Sequence, residues 1–278
     1  FPLMRVKNVY AKRNAIWPFT VVGRPPQEDT SFGQLIHEIT GDAIPTEVPG
    51  IKEVHAVDAA GVHPLLLAIG NERYTPFVKV KQPAELLTLA SRLLGTGQLS
   101  LAKYLFITAD DTNKLSTHHI EGFLSYILKR IDTTRDIHFF TNTTIDTLDY
   151  SGSELNVGSK VIFAAYGEEI RELANEVPEV LKNNRAVNRA EIVFPGVVAI
   201  ETQPYKNAET VKEEITILNE LLLPHIHELQ GTPLIVLCDD ASFLTKNLTN
   251  FLWVSFTRSN PSHDIHGIGS YYEHKHWH

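Results

Sequence analysis

The chain is poor in cysteine, has no excess of positive charge and contains no long apolar run. Cys238 is the only cysteine among 278 residues, which excludes an intrachain disulfide and a metal site of the CxxC type. Lysine and arginine total 25 against 33 acidic residues, and the net charge of −8 argues against a nucleic-acid partner, because phosphate binding needs a basic face. No apolar stretch approaches the ~20 residues of a membrane span. The start of the chain lacks a signal-peptide pattern, so the cytoplasm is the expected location.

From about Pro25 onwards, apolar runs typical of buried strands alternate with segments that have helical spacing. This alternation predicts an α/β fold: a three-layer α/β/α domain with a mixed, mostly parallel sheet. We find no internal repeat in the pattern. The predicted strands lie at 3–10, 14–23, 53–59, 63–70, 104–109, 137–141, 161–167, 191–202 and 233–240, and the predicted helices at 32–40, 84–94, 118–131, 168–177, 208–229 (kinked at Pro224) and 247–257.

The segment TVVGRPPQEDTSFG, residues 20–33, is a stiff polar loop between a strand and a helix. Pro25 and Pro26 fix two consecutive φ angles and remove two backbone donors, so the strand must end there. Asp29 or Thr30 can cap the helix that follows, because a short side-chain oxygen reaches the free amides of the first turn. A loop of this kind either forms the wall of a binding site or serves as a rigid strand-to-helix connection.

Paired aspartates follow two of the apolar strands, at Asp110 and Asp111 and at Asp239 and Asp240. Ligands of open α/β sheets bind at the carboxyl ends of strands, where such acids can hold a metal ion or transfer protons. This pattern leaves a metal-dependent hydrolase open as an alternative function. The aspartates can equally cap the next helix or solvate the sheet edge, and that interpretation is favoured.

The segment NVGSK, residues 156–160, offers backbone amides, a hydroxyl and the Lys160 ammonium to an anion such as phosphate. It lacks the spacing and the following helix of a P-loop, so the signal is weak. Histidines are numerous, but the run formed by His274, His276 and His278 is interpreted as a chain terminus, not as a metal site.

Six blocks of the sequence form a further pattern: VVGRPPQED, ITADDTNKLS from Ile107, RIDTTRDIHFF from Arg130, TIDTLDYSG from Thr144, NVGSK, and FLWVSFTRSNPSHDIHG from Phe251. In this order they resemble the UbiD family of prenylated-flavin-dependent decarboxylases, the 3-octaprenyl-4-hydroxybenzoate carboxy-lyase-like enzymes. The resemblance implies that residues 1–23 are terminal strands of a flavin-binding split barrel and that residues 24–278 form the C-terminal α/β domain.

The resemblance implies a carboxy-lyase parent that acts on aromatic or α,β-unsaturated acids, with prenylated FMN and a divalent metal (Mn or Mg) as cofactors. A flavin prenyltransferase would supply the cofactor, in a ubiquinone-type biosynthesis. The family's catalytic arginine, its glutamates and its metal ligands lie N-terminal to this chain, so no catalytic or metal residue can be assigned here. This chain is predicted to form one wall of the cleft and the homo-oligomer interface, and to be inactive alone.

Five residues are candidates for the site that the resemblance implies. Gln27, Glu28, Thr30 and Phe32 are the substrate-pocket candidates, and Lys160 is the candidate that contacts the flavin phosphate. In their structural roles, the loop residues stiffen the connection and cap the helix. The alternative for the whole chain is an assembly module that mediates oligomerisation without catalysis.

Overall fold

The computed structural model describes residues 3–19, 23–26, 28–74, 77–110, 112, 114–274 and 276–277. The α-helices in this part are α1 Glu28–Thr40, α2 Ile44–Glu47, α3 Ala84–Leu93, α4 Ile120–Leu128, α5 Glu179–Lys182, α6 Ala208–Leu222, α7 Ala241–Thr245, α8 Leu248–Thr257 and α9 Pro261–Asp264. The strands are β1 Ile51–Ala56, β2 Leu65–Gly70, β3 Tyr104–Ala109, β4 Ile137–Thr144, β5 Val157–Ala165, β6 Arg189–Phe194, β7 Val197–Glu201, β8 Leu234–Cys238, β9 Tyr272–Glu273 and β10 His276–Trp277. Short 3₁₀ helices lie at Gly41–Ala43, Asp58–Ala60, Gly97–Leu101 and Leu223–Leu229.

The strands divide between two main sheets and one small hairpin. The first sheet has the order β1-β2-β3-β5-β4, with β2, β3 and β5 parallel and an antiparallel strand at each edge. The second sheet has the order β6-β7-β8, with β7 and β8 parallel and β6 antiparallel to β7. The predicted α/β fold with a mixed sheet is therefore confirmed, although the strands form two sheets where one was expected.

Both faces of the central strands are buried, which explains their continuous apolar sequence. Every residue of β2 and β3 is buried. Alternate side chains of β2 point to opposite faces: Leu65 and Leu67 pack into a central cluster with α4 and α8, and Leu66 packs against α3 on the other side. The central cluster also contains the inner face of the second sheet, and α6 covers the outer face of that sheet.

The second half of the chain repeats the architecture of the first, and the expectation that no repeat exists was wrong. A first unit, residues 51–138, runs as an antiparallel hairpin, a helix, a 3₁₀ helix, a parallel strand and a second helix. A second unit, residues 189–266, has the same principal order and the same strand directions, with the short α7 inserted before its last helix. In both units the last helix faces the central cluster, so the two copies bury equivalent faces against each other.

The sequence trace of this repeat is short and lies at the end of each unit. The segments GFLSYILKRIDTTRDIH, 122–138, and NFLWVSFTRSNPSHDIH, 250–266, share Phe-Leu, an arginine and Asp-Ile-His at matching positions. Each segment ends in the same turn: Asp136 accepts a hydrogen bond from the Asp132 amide (2.9 Å), and Asp264 accepts one from the Asn260 amide (2.5 Å). Elsewhere the units share only apolar character, which sequence periodicity does not distinguish from an ordinary α/β pattern.

The helix predicted at 168–177 does not form; this segment is an irregular strap that connects the two units. Its backbone is used by other parts of the chain: the Ala174 amide donates to the Gly231 carbonyl, and the Ala174 carbonyl accepts from Gly196. Arg171 donates to the carbonyls of Leu128 and Ile131 at the end of α4. These tertiary hydrogen bonds outweigh the helix propensity of the segment.

The strands predicted at 3–10 and 14–23 are also absent from the described residues 3–19, which are exposed. The turn between them is present, since the Ala15 amide donates to the Lys12 carbonyl and Asn14 has a φ of 62°. A strand needs a neighbour for its backbone groups, and the described part of this chain supplies none to this segment. The assignment of residues 1–23 to a split barrel stays a prediction.

The remaining predicted elements match the structure closely, apart from their ends. The helix predicted at 208–229 ends as an α-helix at Leu222 and continues as a 3₁₀ helix that contains Pro224, as the expected kink requires. The helix predicted at 32–40 begins four residues earlier, at Glu28, so Asp29 and Thr30 lie within its first turn. Among the described residues, none of the helices combines the length and the apolar composition that a bilayer crossing requires.

We expect the two copies of the shared turn to differ in their contribution to stability. Asp136 is completely buried and also pairs with Arg135, whereas Asp264 is exposed. The substitution Asp136→Asn should lower the free energy of unfolding by about 2 kcal/mol, because a buried charged hydrogen bond is weakened, and Asp264→Asn by less than about 1 kcal/mol. Urea denaturation of both variants tests this; equal losses would contradict it.

Candidate functional site

The predicted pocket loop is described in part. Residues 23–26 form a bend that leads into α1, and Pro25 is buried. Gln27 lies outside the described residues, as does the side chain of Glu28, so the structure does not place these two pocket candidates. Thr30 is half-buried in the first turn of α1, and Phe32, two residues further along the helix, is 64% exposed.

The helix α1 has an exposed apolar face. Phe32, Leu35, Ile36 and Ile39 recur at helical spacing, as the sequence predicted, and each is at least half exposed. An amphipathic helix normally turns such a face towards a core. This face is therefore available to a substrate or to another surface.

Arg24 ties this loop to the second unit. Its guanidinium donates a hydrogen bond to the side-chain oxygen of Asn250 in α8 and lies 5.3 Å from the ring centroid of Phe243 in α7. Asn250 is itself buried, and its amide nitrogen donates to the Phe243 carbonyl at 2.6 Å. The start of the predicted pocket wall is thus anchored by a residue that lies 226 positions further along the chain.

The strand-end aspartates have structural partners. Asp110 accepts hydrogen bonds from Thr112, Lys114 and Leu115. Burial raises the pKa of Asp110, but these hydrogen bonds outweigh it and lower the pKa to about 2. Asp240 caps α7 by accepting from the Phe243 amide at 2.8 Å, and Asp239 accepts from the Tyr205 amide. The capping interpretation is confirmed for Asp240, whereas Asp110 closes the loop after β3 and Asp239 contacts a distant loop at Tyr205.

The two aspartate pairs also lie on different sheets, after β3 and after β8. Asp111 lies outside the described residues. Within the described part of the chain, no group of three or more histidine, cysteine, aspartate or glutamate side chains is arranged to hold a metal ion. The metal-dependent hydrolase therefore gains no support from these residues.

Cys238 lies in β8, as expected, and is half-buried. Burial raises the pKa of its thiol to about 11, so the thiol stays protonated at neutral pH. Because the thiolate is the reactive form of cysteine, Cys238 is not suited to nucleophilic chemistry.

The segment NVGSK is part of strand β5 and not a turn before it, which corrects the interpretation of the sequence. The strand begins at Val157, and residues 157–160 pair with β4 rather than form an anion-binding turn. Lys160 is 4% exposed, and its ammonium donates to the carbonyls of Ser100 and Ala102 at the end of a 3₁₀ helix. Burial lowers the pKa of Lys160 to about 8.

Lys103 is the most deeply buried lysine in the described structure, and its role was not predicted. It is 1% exposed and donates to the Asp149 carboxylate at 2.8 Å, to the Ser151 hydroxyl at 2.8 Å and to the Ser259 carbonyl at 2.7 Å. Burial lowers its pKa, and the neighbouring Asp149 partly opposes that shift. The only sequence signal was a lysine placed directly before a mostly apolar strand.

Three of the blocks that carry the UbiD resemblance meet around this lysine. Asp149 and Ser151 belong to TIDTLDYSG, and Ser259 belongs to the last block. From NVGSK, Ser159 donates to the Asn260 side chain and accepts from the Ser262 amide at 2.8 Å. The three donor positions of Lys103 are filled by protein groups, so this network holds the fold together and does not form an open site.

The comparisons with known proteins point to one family. Residues 30–165 match the family model of the 3-octaprenyl-4-hydroxybenzoate carboxy-lyase C-terminal domain. A Chlamydia muridarum protein is 35% identical over 266 residues, which are 96% of this chain and 42% of that protein. A Chlamydia pneumoniae protein, described as a subunit of 4-hydroxybenzoate decarboxylase, is 33% identical over 275 residues, or 98% of this chain and 42% of its own length.

Among solved structures, the UbiD-class enzyme HmfF from Pelotomaculum thermopropionicum in complex with FMN aligns with a TM-score of 0.39. The alignment has 16% sequence identity and covers 54% of this chain and 32% of that one.

The class of this chain follows from its mixed sheet, its covering helices and the position of the family match, which begins shortly after Arg24, Pro25 and Pro26 (the Arg-Pro-Pro loop). The chain carries a C-terminal domain of the UbiD family of carboxy-lyases, as the resemblance predicted. It spans about 42% of the length of the curated relatives named above. The family model ends at residue 165, so the second unit lies beyond it, whereas the chlamydial relatives align across nearly the whole chain.

We expect the Lys103–Asp149 pair to be essential for stability. The substitution Lys103→Met should lower the free energy of unfolding by about 3–5 kcal/mol, because it leaves the buried Asp149 carboxylate without its partner. The double variant Lys103→Met/Asp149→Asn should recover part of the loss. Denaturant titration of the single and double variants gives these values, and additive losses would contradict the pairing.

The buried Lys160 should produce a characteristic pH dependence. Its pKa in the folded chain, about 8, lies below the unfolded value near 10.5, so the folded state loses the proton first and stability rises between these two pH values. Lys160→Met should remove this rise, which is worth about 3 kcal/mol. Unfolding free energies of both proteins at pH 7.5 and pH 10 measure it. The same rise in both would show that Lys160 does not cause it.

Proposed function

We propose that this chain is the C-terminal part of a non-oxidative (de)carboxylase that acts on aromatic or α,β-unsaturated carboxylic acids with prenylated FMN. The observation that carries the proposal is the match of residues 30–165 to the carboxy-lyase C-terminal domain, shortly after the Arg-Pro-Pro loop. The Chlamydia pneumoniae relative, by its description as part of a 4-hydroxybenzoate decarboxylase, supports the same class of reaction. A quinone-precursor hydroxybenzoate is a substrate consistent with that name.

In this proposal the chain supplies one wall of the substrate cleft. The exposed ring of Phe32 offers a flat apolar surface on which an aromatic or unsaturated acid can stack. Thr30 lies two residues before it as a polar pocket candidate, and Gln27 and Glu28 complete the set. The role of these residues is to orient the substrate and to keep water away from it.

The described residues of this chain do not themselves fit the cofactor or its metal. Lys160, the candidate for the flavin phosphate, is buried and uses its ammonium on two backbone carbonyls. A divalent metal needs several oxygen or nitrogen ligands, and the part of the chain that the structure describes contains no such group. Catalytic proton transfer, metal binding and supply of the cofactor by a flavin prenyltransferase therefore belong to the parent protein in this proposal.

A second function is favoured by the exposed face of α1. Leu35, Ile36 and Ile39 continue the apolar surface beyond Phe32 and suit contact with another protein surface. The chain would then also act as an assembly module through which the parent forms a homo-oligomer. The two functions are compatible because Phe32 lies near the beginning of the helix and Ile39 near its end.

We expect Phe32→Ala in the parent protein to lower kcat/KM about three- to tenfold, since the loss of one aromatic stacking contact has that magnitude. The matched control is Leu148→Ala, which truncates a similarly exposed apolar side chain outside α1. Decarboxylation of 4-hydroxybenzoate, followed by carbon dioxide release, is the measurement. Equal kinetics for Phe32→Ala and wild type would remove Phe32 from the pocket.

We expect the isolated 278-residue chain to show no decarboxylation when prenylated FMN and Mn²⁺ are added. The reason is that Lys160, the candidate for the flavin phosphate, uses its ammonium on backbone carbonyls, and that the described residues contain no group of side chains arranged to hold a metal ion. The measurement is the flavin absorption that remains with the protein after gel filtration, together with product formation. Turnover by the isolated chain would contradict the division of roles proposed above.

A further inference from the structure

We infer that the second unit holds the Arg-Pro-Pro loop in place, with Asn250 and Phe243 as positioning residues for Arg24. This inference rests on the proposed function only in the statement that the loop borders a substrate cleft. It extends beyond the family match, because both positioning residues lie outside residues 30–165.

The contact is built from a locked amide and an aromatic face. The Asn250 side chain is 2% exposed, and its amide nitrogen is committed to the Phe243 carbonyl at 2.6 Å. Its oxygen therefore faces Arg24, whose guanidinium donates to it. The same guanidinium lies over the Phe243 ring at 5.3 Å, within the range of a cation–π contact. Two neighbouring groups thus recognise the charge and the direction of one side chain.

The comparison of the two units shows that this contact is specific to the second one. By the alignment of the Phe-Leu pairs, Asn250 corresponds to Gly122 in the first unit. A Cβ atom at Gly122 would lie 2.1 Å from the His119 ring, so the first unit has no space for a side chain there. The second unit places a buried polar side chain at this position, which costs free energy unless both its donor and its acceptor are used. The Arg24 guanidinium is the group that uses the acceptor.

The position of Arg24 controls the position of α1. Pro25 and Pro26 follow it directly, and their fixed φ angles make the connection stiff. The helix begins at Glu28, four residues after the contact, and presents Phe32 on its exposed face. Fixing Arg24 therefore restrains the start of α1 and the pocket wall that it carries. Release of the anchor should loosen the start of α1 without unfolding the two units.

The first test is amide hydrogen exchange in the 278-residue chain. Arg24→Met removes the guanidinium from the exposed loop, and Asn250→Ala removes its partner. Each should speed exchange in α1, Glu28–Thr40, about fivefold, the effect expected for one net hydrogen bond. The double variant should exchange no faster than either single variant, because both remove the same contact. Unchanged exchange in folded Arg24→Met would overturn the inference.

The matched control is Asn247→Ala. Asn247 caps α8 by accepting from the Asn250 amide at 2.9 Å, so its loss lowers the stability of the same helix. Exchange in α1 should stay at the wild-type rate in this variant. Faster exchange in α1 for Asn247→Ala, equal to that for Asn250→Ala, would mean that general weakening of α8 explains the effect, and the positioning role would be lost.

The second test separates positioning from catalysis in the parent protein. Arg24→Met should raise KM about fivefold and leave kcat within about twofold, because a loose wall weakens substrate binding more than the chemical step. Arg24→Lys keeps the charge but not the planar group, and should recover only part of the change. Faster exchange with unchanged kinetics would overturn the link to the substrate. If the unmutated parent shows no decarboxylation but the variants still exchange faster in α1, the anchor is supported and the proposed function is overturned.

Discussion

The ammonium group of Lys103 is buried at the point where the two units and the loop before β5 meet. It binds the Asp149 carboxylate, the Ser151 hydroxyl and the Ser259 carbonyl, and each of these groups belongs to a segment far from Lys103 in sequence. A buried charge is tolerated only when its partners are held at the correct distance. The constraint works in both directions: the lysine needs the fold, and two otherwise irregular segments, at residues 149–151 and at Ser259, are held in position by the lysine. The adjacent Tyr104 hydroxyl and Ser259 side chain extend the same network.

The Lys103 network lies between two units of the same architecture. Two units of the same order pack with equivalent faces inward, so one central cluster serves both sheets. The two units differ in what lies beside their last strand. In the first unit β3 pairs with β5 and is buried along its whole length, whereas its counterpart β8 lies at a sheet edge and is half-buried throughout. The two units also differ at one helix position. The second unit has Asn250 where the first has Gly122, and Asn250 contacts the loop that precedes the family domain. The second unit thus contacts the loop that leads to the candidate site.

Much of the fold could be predicted from the sequence because apolar periodicity reports burial directly. The strands at 104–109 and 233–240 and the helices at 84–94 and 247–257 match the structure within a few residues. The prediction of a helix at 168–177 was wrong because the helix propensity of this segment is small compared with the hydrogen bonds that Ala174 and Arg171 make to distant residues. The cap favoured for the aspartates after β8 is confirmed at Asp240, because a short side chain satisfies the amides of the next helical turn, whereas Asp110 after β3 satisfies amides of a loop. For the pocket, the sequence named Thr30 and Phe32, and the structure shows only that they lie at the start of an exposed helix.

The sequence by itself determined the class of fold, the family and the position of the Arg-Pro-Pro loop, because these depend on local composition and on ordered motifs. Only the tertiary structure revealed that the chain contains two units of the same architecture, because these units have few identical side chains at matching positions. It also decided that Lys160 serves two carbonyls within the protein and that Lys103 holds three segments together. Partners of a buried charge come from any part of the chain, and no spacing rule identifies them. The contact between Arg24 and Asn250 has the same origin: the residues are distant in sequence and meet only because the second unit folds back against the first.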